Sequence, residues 1–552
     1  MNAMLKIRCV NDGKTYEVPE GCCLLDFYGQ ASPSLKFPAI SALVNNVSHG
    51  LNTRLFSNSD VEFLDITSDS GMRTYTRTLL FVLAKAVEDL YEGVHIGVEA
   101  PVSNGYYISL RHVGDTKISI ADIRRRMDSI IAADISIKKV VCPREEAIKT
   151  FKEAEMASKV KLLSTINSLY ATYFTLDGYP GYYFGDMCPS TKYLALYGLE
   201  AYHSGLLLRL PDPSNAGELK PVIKQDKMLE VFNDNHRWQD LGCLRTVGEL
   251  NEACANGHTN DVINISEALQ ENKICRIAET IKTKGTVRLV LISGPSSSGK
   301  TTFSKRLSVQ LMVCGLRPCP ISMDEYFLPR EETPRDADGN YDFESIYALN
   351  LPLLSEHLAK LFAGSEVELP HYDFQTGKSV NSGKKLKLAP NDVLIMEGIH
   401  ALNPKLTEAI APSLKFKIYV SALTSIQLDD QNYISTTDNR LLRRIVRDYK
   451  YRGYSAVDTI RRWPSVRQGE QKWIFPYQEE ADIMFNSALL FELAGLRTQA
   501  LPILEQVPEN CPEYCEAYRL QKFLKYINPI NTKGLPPISL LREFLGGSSF
   551  KY

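Results

Sequence analysis

The sequence predicts an α/β chain whose second half is a doubly wound parallel sheet, preceded by a small β-rich module and an α+β module. Three observations carry this. Gly294-Pro295-Ser296-Ser297-Ser298-Gly299-Lys300-Thr301 matches G-x-x-x-x-G-K-[ST], the spacing of a phosphate-binding loop. Two short apolar runs, Pro318–Asp324 and Val393–Glu397, each end in an acid. From 284 to 490, strand-like runs alternate with helical patterns, which calls for parallel pairing.

Composition sets the limits. A chain of 552 residues has room for roughly three or four domains, and 44% hydrophobic residues supply ample core. A net charge of −2 gives no global field to recruit DNA or a membrane. No stretch approaches the ~18 consecutive apolar residues of a membrane span. The start, Met1-Asn-Ala-Met-Leu-Lys-Ile-Arg, lacks the long apolar centre of a signal peptide. Twelve cysteines are scattered, and the closest pairs, Cys22-Cys23 and Cys511-x-x-x-Cys515, do not make a zinc motif. Reduced thiols in a cytoplasmic protein are the expectation.

The modules follow in order. Within 1–68, Leu5–Val10 and Gly13–Val18 alternate around an Asn11-Asp12-Gly13 turn, and Ala42–Val47 and Val61–Asp65 read as further strands. This stretch resembles the ubiquitin-like β-grasp TGS domain of threonyl-tRNA synthetases and some GTPases. Within 69–210, a helix over Arg77–Val87 is followed by Ser103–Tyr107 and Asp186–Lys192. That order is similar to the second N-terminal domain of threonyl-tRNA synthetase, which edits mischarged tRNA. The chemistry departs from it. Arg77 and Phe81 stand where that family has H-x-x-x-H, and Lys192 replaces the last histidine after Cys188. Such a set makes neither a metal site nor an acid/base pair, so editing and RNA binding lose their support here. Residues 211–283 read as a polar helical connector entered through a Pro211–Gly217 loop, and 491–552 as a helical extension that Pro502 would kink or break.

The chemistry concentrates in 284–490. Val287–Ser293 reads as a buried strand entering the loop, and Thr302–Met312 as a helix leaving it. This arrangement aims backbone N–H groups and a positive helix end at phosphates. Gly294 to Thr302 form the expected ATP-binding segment, with Lys300 reaching the β- and γ-phosphates and Thr301 offering its hydroxyl to Mg²⁺. The loop alone does not say whether phosphate goes to water, to a small molecule, or is only sensed. An Asp324 at a strand end suits a base or an Mg²⁺-side acid, and Glu397 suits the Mg²⁺ side. Asn340-Tyr341-Asp342-Phe343-Glu344 and Leu369-Pro-His-Tyr372-Asp373-Phe374 place aromatics beside acids, as a ring-bearing polar substrate requires. In Asp438–Asp448, arginines at 440, 443, 444 and 447 share one helical face. Like charges so placed repel, and a polyanion across the stripe would offset the repulsion. The stripe is expected to be a lid.

Together the loop, Asp324-x-Tyr326, Asn340-Tyr-Asp342, Pro370-x-Tyr372-Asp-Phe374, Glu397-Gly-Ile and Asp438-x-Arg440-Leu-x-Arg443-Arg444 resemble the uridine kinase branch of the uridine kinase/phosphoribulokinase family. The resemblance implies Asp324 as catalytic base, with Lys300, Arg440, Arg443 and Arg444 stabilising charge. It implies Tyr326, Asp342, Tyr372 and Phe374 on the substrate side, and Thr301, Asp324 and Glu397 at Mg²⁺. Self-association is a further expectation from it. Three departures stand out. Gly377 occupies the place of a histidine that reads the pyrimidine edge, Tyr326-Phe327 reverses two aromatics, and Ala422–Asp438 is longer than usual. The expected function is ATP-dependent phosphorylation of a nucleoside 5′-hydroxyl, uridine or cytidine first. Another small-molecule kinase of the superfamily and an ATP-responsive switch that binds RNA or ribosomes are the alternatives.

Overall fold

The computed structural model describes residues 3–336 and 339–551, so Met1, Asn2 and Tyr552 of the terminal segments lie outside the described residues. Near the N-terminus, five strands pair in the order Thr15–Pro19, Met4–Cys9, Ser59–Leu64, Ser41–Val44, Val47–Gly50. Leu5, Ile7 and Cys9 alternate inward along the second of these, as the sequence pattern requires. The run read as one strand, Ala42–Val47, is instead a hairpin. Asn45 and Asn46 adopt φ of +49° and +63°, which closes a two-residue turn between antiparallel partners.

Next, the helix Asp69–Leu90, capped by the Ser68 hydroxyl, is buried along most of its length. It packs with a four-stranded sheet (Gly198–Tyr202, Gly205–Arg209, Gly105–Arg111, His95–Val102) and a three-stranded one (Tyr179–Gly181, Tyr170–Leu176, Ile137–Pro143). The positions of the lost editing residues are filled by packing and pairing. Arg77 Nε and Nη2 donate to the Asp186 carbonyl at 3.1 and 2.9 Å. Phe81 is core, and a Cβ added at Gly181 would lie 2.4 Å from its ring. Burial pushes the Cys188 thiol up to about 12, so it stays protonated and unreactive at neutral pH. Lys192 pairs with Asp134 at 2.9 Å.

The Pro211–Gly217 stretch forms a small hairpin rather than an open loop, pairing Pro211–Asp212 with Asn215–Leu219. Three helices follow, Asp226–Gly242, Val247–Ala255 and Thr259–Lys284. Then comes the parallel sheet, ordered Arg317–Ser322, Asp392–Glu397, Leu289–Ser293, Lys415–Ser421, Ile483–Asn486. Its two faces feed two apolar clusters, with Val290 and Ile292 in one and Leu289 and Leu291 in the other. That is the two-sided burial of a doubly wound sheet. The final helices are Glu492–Leu504, which carries Pro502 in its last turn, Tyr514–Leu524 and the short Arg542–Leu545.

The long segment 422–438 docks the sheet onto the α+β part. Gln427 Nε2 donates to the Val98 carbonyl at 2.6 Å, Val98 N–H to the Asp430 carbonyl at 2.8 Å, and Asn432 Nδ2 to the Tyr182 carbonyl at 2.8 Å. Lys159 and Asp429 form an ion pair at 3.1 Å inside this contact. Among the described residues, no helix is long and apolar enough to cross a membrane.

Candidate active site

Strand register assembles the site. Ile292 lies opposite Glu397, and Glu397 opposite Ser322. The C-terminal ends of three adjacent strands therefore stand level, where ligands of such sheets bind. The phosphate loop leaves the first strand, Glu397 ends the second, and the Met323–Tyr326 turn carries Asp324 from the third.

The loop needs its glycines. A Cβ at Gly294 would sit 1.9 Å from the Val420 carbonyl oxygen, and Gly299 enters the helix Lys300–Val313 at φ +83°. Lys300 Nζ donates to the carbonyls of Gly294 and Pro295 at 2.9 and 3.1 Å. The hydroxyls of Thr301 and Ser322 both donate to Glu397 Oε1, at 3.3 and 3.2 Å. Ser297 and Ser298 hold buried hydroxyls with no hydrogen-bond partner among the described residues.

Charge is crowded here. Burial, then the Asp324 carboxylate, pushes Glu397 up to about 7 against the pull of Lys300. Burial also raises Asp324, opposed by Lys300, Arg452 and Arg447. Lys300 is lowered by burial, opposed by Glu397 and Asp324. Two part-buried carboxylates and a hydroxyl, all hard oxygen donors, fit a small divalent cation such as Mg²⁺.

The residues expected on the substrate side separate. Tyr326 is not exposed to a substrate: it is 1% exposed, its hydroxyl pairs with His357 Nδ1 at 3.0 Å, and Phe327 beside it is buried as well. Tyr372 is also buried, with its ring packed against Phe327 and Phe374 at 5.5 and 5.0 Å. Phe374 is 52% exposed, with the Arg452 guanidinium 5.8 Å from its ring centre. Asp342 is part-buried, and its Oδ1 accepts the Glu344 N–H at 3.2 Å. At Gly377, φ is +72° and a Cβ would meet Arg330 Nε at 2.7 Å. Arg330 Nη2 donates to the Phe374 carbonyl at 2.8 Å.

The arginine stripe is not a free lid. Arg440 is buried against Glu470, with Nη2 to Oε2 at 2.7 Å, and Arg443 against Glu492, with Nη2 to Oε2 at 2.6 Å. Both reach the loop from behind, through the Ser296 and Ser297 carbonyls at 3.2 and 3.3 Å. Acids of the fold, rather than a polyanion, offset the repulsion. Arg444 donates to the Ser296 hydroxyl of the loop at 2.9 Å. Arg444, Arg447 and Arg452 all lean on one carboxylate, Asp448.

Sequence reasoning passed over Glu344, Glu470 and Glu543. Glu470 accepts the Ser296 N–H at 3.2 Å, and Glu543 accepts from Thr302 on the loop helix. Glu344 lies inside the Asn340–Glu344 motif, a signal that was available. It is only part-buried as a residue, but its Oε2 is sealed from water with no hydrogen-bond partner among the described residues, and burial pushes the group up to about 7.

The family described as Phosphoribulokinase / Uridine kinase matches residues 289–490. The chain is 30% identical over 197 residues to the uridine kinase of Staphylococcus aureus strain JH9, covering 36% of this chain and 86% of that one. It is 28% identical over 216 residues to the uridine kinase of Halobacterium salinarum, covering 39% and 84%. Its N-terminal region is similar to the threonine–tRNA ligase of Natranaerobius thermophilus, 37% identical over 152 residues, or 27% of this chain. The chain spans only 24% of that ligase's length. The loop, the strand-end acids and these matches lead to one conclusion: the chain belongs to the phosphoribulokinase/uridine kinase family of phosphate-loop kinases, joined to a threonyl-tRNA synthetase-like N-terminal region.

Proposed function

We propose that the chain transfers the γ-phosphoryl group of ATP to the 5′-hydroxyl of a nucleoside, with uridine or cytidine as the leading acceptors. The observation that carries this reading is the convergence of Asp324, Lys300, Thr301 and Glu397 at three level strand ends, beside the exposed ring of Phe374. In this reading Asp324 takes the proton of the acceptor hydroxyl, and its raised affinity for protons suits that role. Lys300 and Arg444 draw charge from the phosphoryl oxygens. Thr301, Glu397 and Asp324 would hold Mg²⁺, which when bound neutralises the phosphate oxygens. Phe374 stacks the acceptor ring, and Asp342 accepts its ribose hydroxyls. Arg440 and Arg443 brace the loop rather than touch the ligand.

One observation favours a second acceptor class. The Arg330 guanidinium fills the space above Gly377, and among the described residues Arg444, Arg447 and Arg452 form ion pairs with one shared carboxylate, Asp448. That surplus of positive charge suits an anionic acceptor such as a sugar phosphate.

A panel of nucleosides, polyols and sugar phosphates with MgATP, read by product mass, tests both. Asp324→Ala is expected to lower acceptor-dependent turnover by about 10²–10⁴-fold and to leave ATP binding nearly intact. If no acceptor gains phosphate, the kinase reading fails. If only sugar phosphates gain it, the second class replaces the first.

A further inference from the structure

The C-terminal segment reaches back to the phosphate loop. Glu543 Oε2 accepts two hydrogen bonds from Thr302, from its N–H at 3.2 Å and from its hydroxyl at 2.6 Å. Thr302 is in the first turn of the helix Lys300–Val313, where N–H groups and the helix dipole favour an anion. Backbone N–H groups at this place cradle nucleotide α- and β-phosphates. A carboxylate from a residue 241 positions away therefore stands on donors that a triphosphate needs.

The contact is built, not incidental. Leu540 sits on the loop's last glycine, since a Cβ at Gly299 would lie 2.5 Å from Leu540 Cδ2. Leu540, Leu541, Phe544 and Leu545 are all buried. The Phe544 ring lies 5.0 Å from the Arg443 guanidinium, and Lys450 Nζ holds the Leu545 carbonyl at 2.5 Å. The arginine helix Thr436–Tyr451 thus grips the same segment that covers the loop.

We propose that residues 539–545 are an intrasteric plug, with Glu543 a carboxylate stand-in for a nucleotide phosphate that MgATP must displace to bind. The proposal rests on the phosphate loop being the nucleotide site, not on any particular acceptor. Two negative groups do not share the Thr302 donors, so occupancy by Glu543 and by phosphate is mutually exclusive. The plug lowers apparent ATP affinity and sets a nucleotide concentration below which the chain stays closed.

The test is calorimetric binding of MgATP to the full chain without acceptor, comparing wild type with E543Q and E543A. Glutamine keeps the shape and removes the charge. Both variants are expected to bind about tenfold tighter or more, as loss of a charge-assisted competitor predicts. In wild type, amide hydrogen exchange over 539–545 is expected to rise when MgATP saturates the site, a readout that needs no variant to fold. Unchanged or weaker binding by both variants, or unchanged exchange over 539–545 at saturation, overturns the plug. Failure of wild type and both variants to bind MgATP overturns the nucleotide reading and the plug with it.

Discussion

Arg440 and Glu470 form a two-pronged ion pair behind the phosphate loop, with side chains 1% and 0% exposed. Glu470 also accepts the Ser296 N–H at 3.2 Å and the Arg467 guanidinium at 2.9 Å. Burial alone would raise the Glu470 carboxyl, but Arg440 and then Arg467 outweigh it and hold the group ionised. The pair therefore fixes the loop's shape before any ligand arrives.

Breaking this pair from one side leaves a buried charge, which typically costs ~3–5 kcal/mol. Glu470→Ala is expected to lower folding stability by that order and to loosen the loop, weakening ATP binding as well. Arg440→Met combined with Glu470→Leu is expected to recover a large part of the stability without the loop's shape. Denaturant unfolding beside ATP titration separates the two effects. Equal stability of E470A and wild type would sink the brace assignment.

The partners explain what the sequence revealed and what it hid. The placement of the loop, Asp324 and Glu397 at strand ends is legible because it depends on local spacing at the end of an apolar strand. The arginine spacing was legible too, but not its purpose. Glu470 lies 30 residues from Arg440 and Glu492 lies 49 from Arg443, so no helical periodicity connects them. Tyr326 and Tyr372 read as substrate aromatics, since a motif does not show which ring the core has already taken. The purpose of 422–438 was likewise hidden, because its hydrogen bonds go to Val98 and Tyr182 in another part of the chain. Glu543 gave no local signal at all.

Glu344 makes a pH prediction. Its carboxyl lies at about 7 in the fold against an ordinary 4.5, raised by burial and by Glu470 and Asp324, and opposed by Arg444 and Lys300. Between those values the folded chain holds a proton that the unfolded chain has lost. Stability therefore falls as pH rises through this window. Glu344→Gln removes the ionisation and is expected to match wild type near pH 4.5. At pH 8 it is expected to be more stable, by on the order of 3 kcal/mol. Unfolding free energies of both proteins at the two pH values check this. A difference that does not grow with pH would show that Glu344 ionises freely.

Lys159 and Asp429 join the α+β part to the segment that leads into the arginine helix. They pair at 3.1 Å with side chains 2% and 0% exposed. Lys159 Nζ also donates to the Tyr182 carbonyl at 3.1 Å, while Asp429 Oδ1 accepts the N–H groups of Gln431 and Asn432 at 2.9 and 3.1 Å. Lys159→Met strands a carboxylate in the interface, so it is expected to cost ~3–5 kcal/mol. Asp429→Asn keeps an acceptor for those N–H groups and removes the stranded charge. The double variant is therefore expected to be more stable than Lys159→Met alone. A double-mutant cycle by denaturant unfolding measures the coupling, expected at ~0.5–3 kcal/mol. Strict additivity would mean that the two charges do not sense each other and that the neutral bonds of Gln427 and Asn432 hold this contact by themselves.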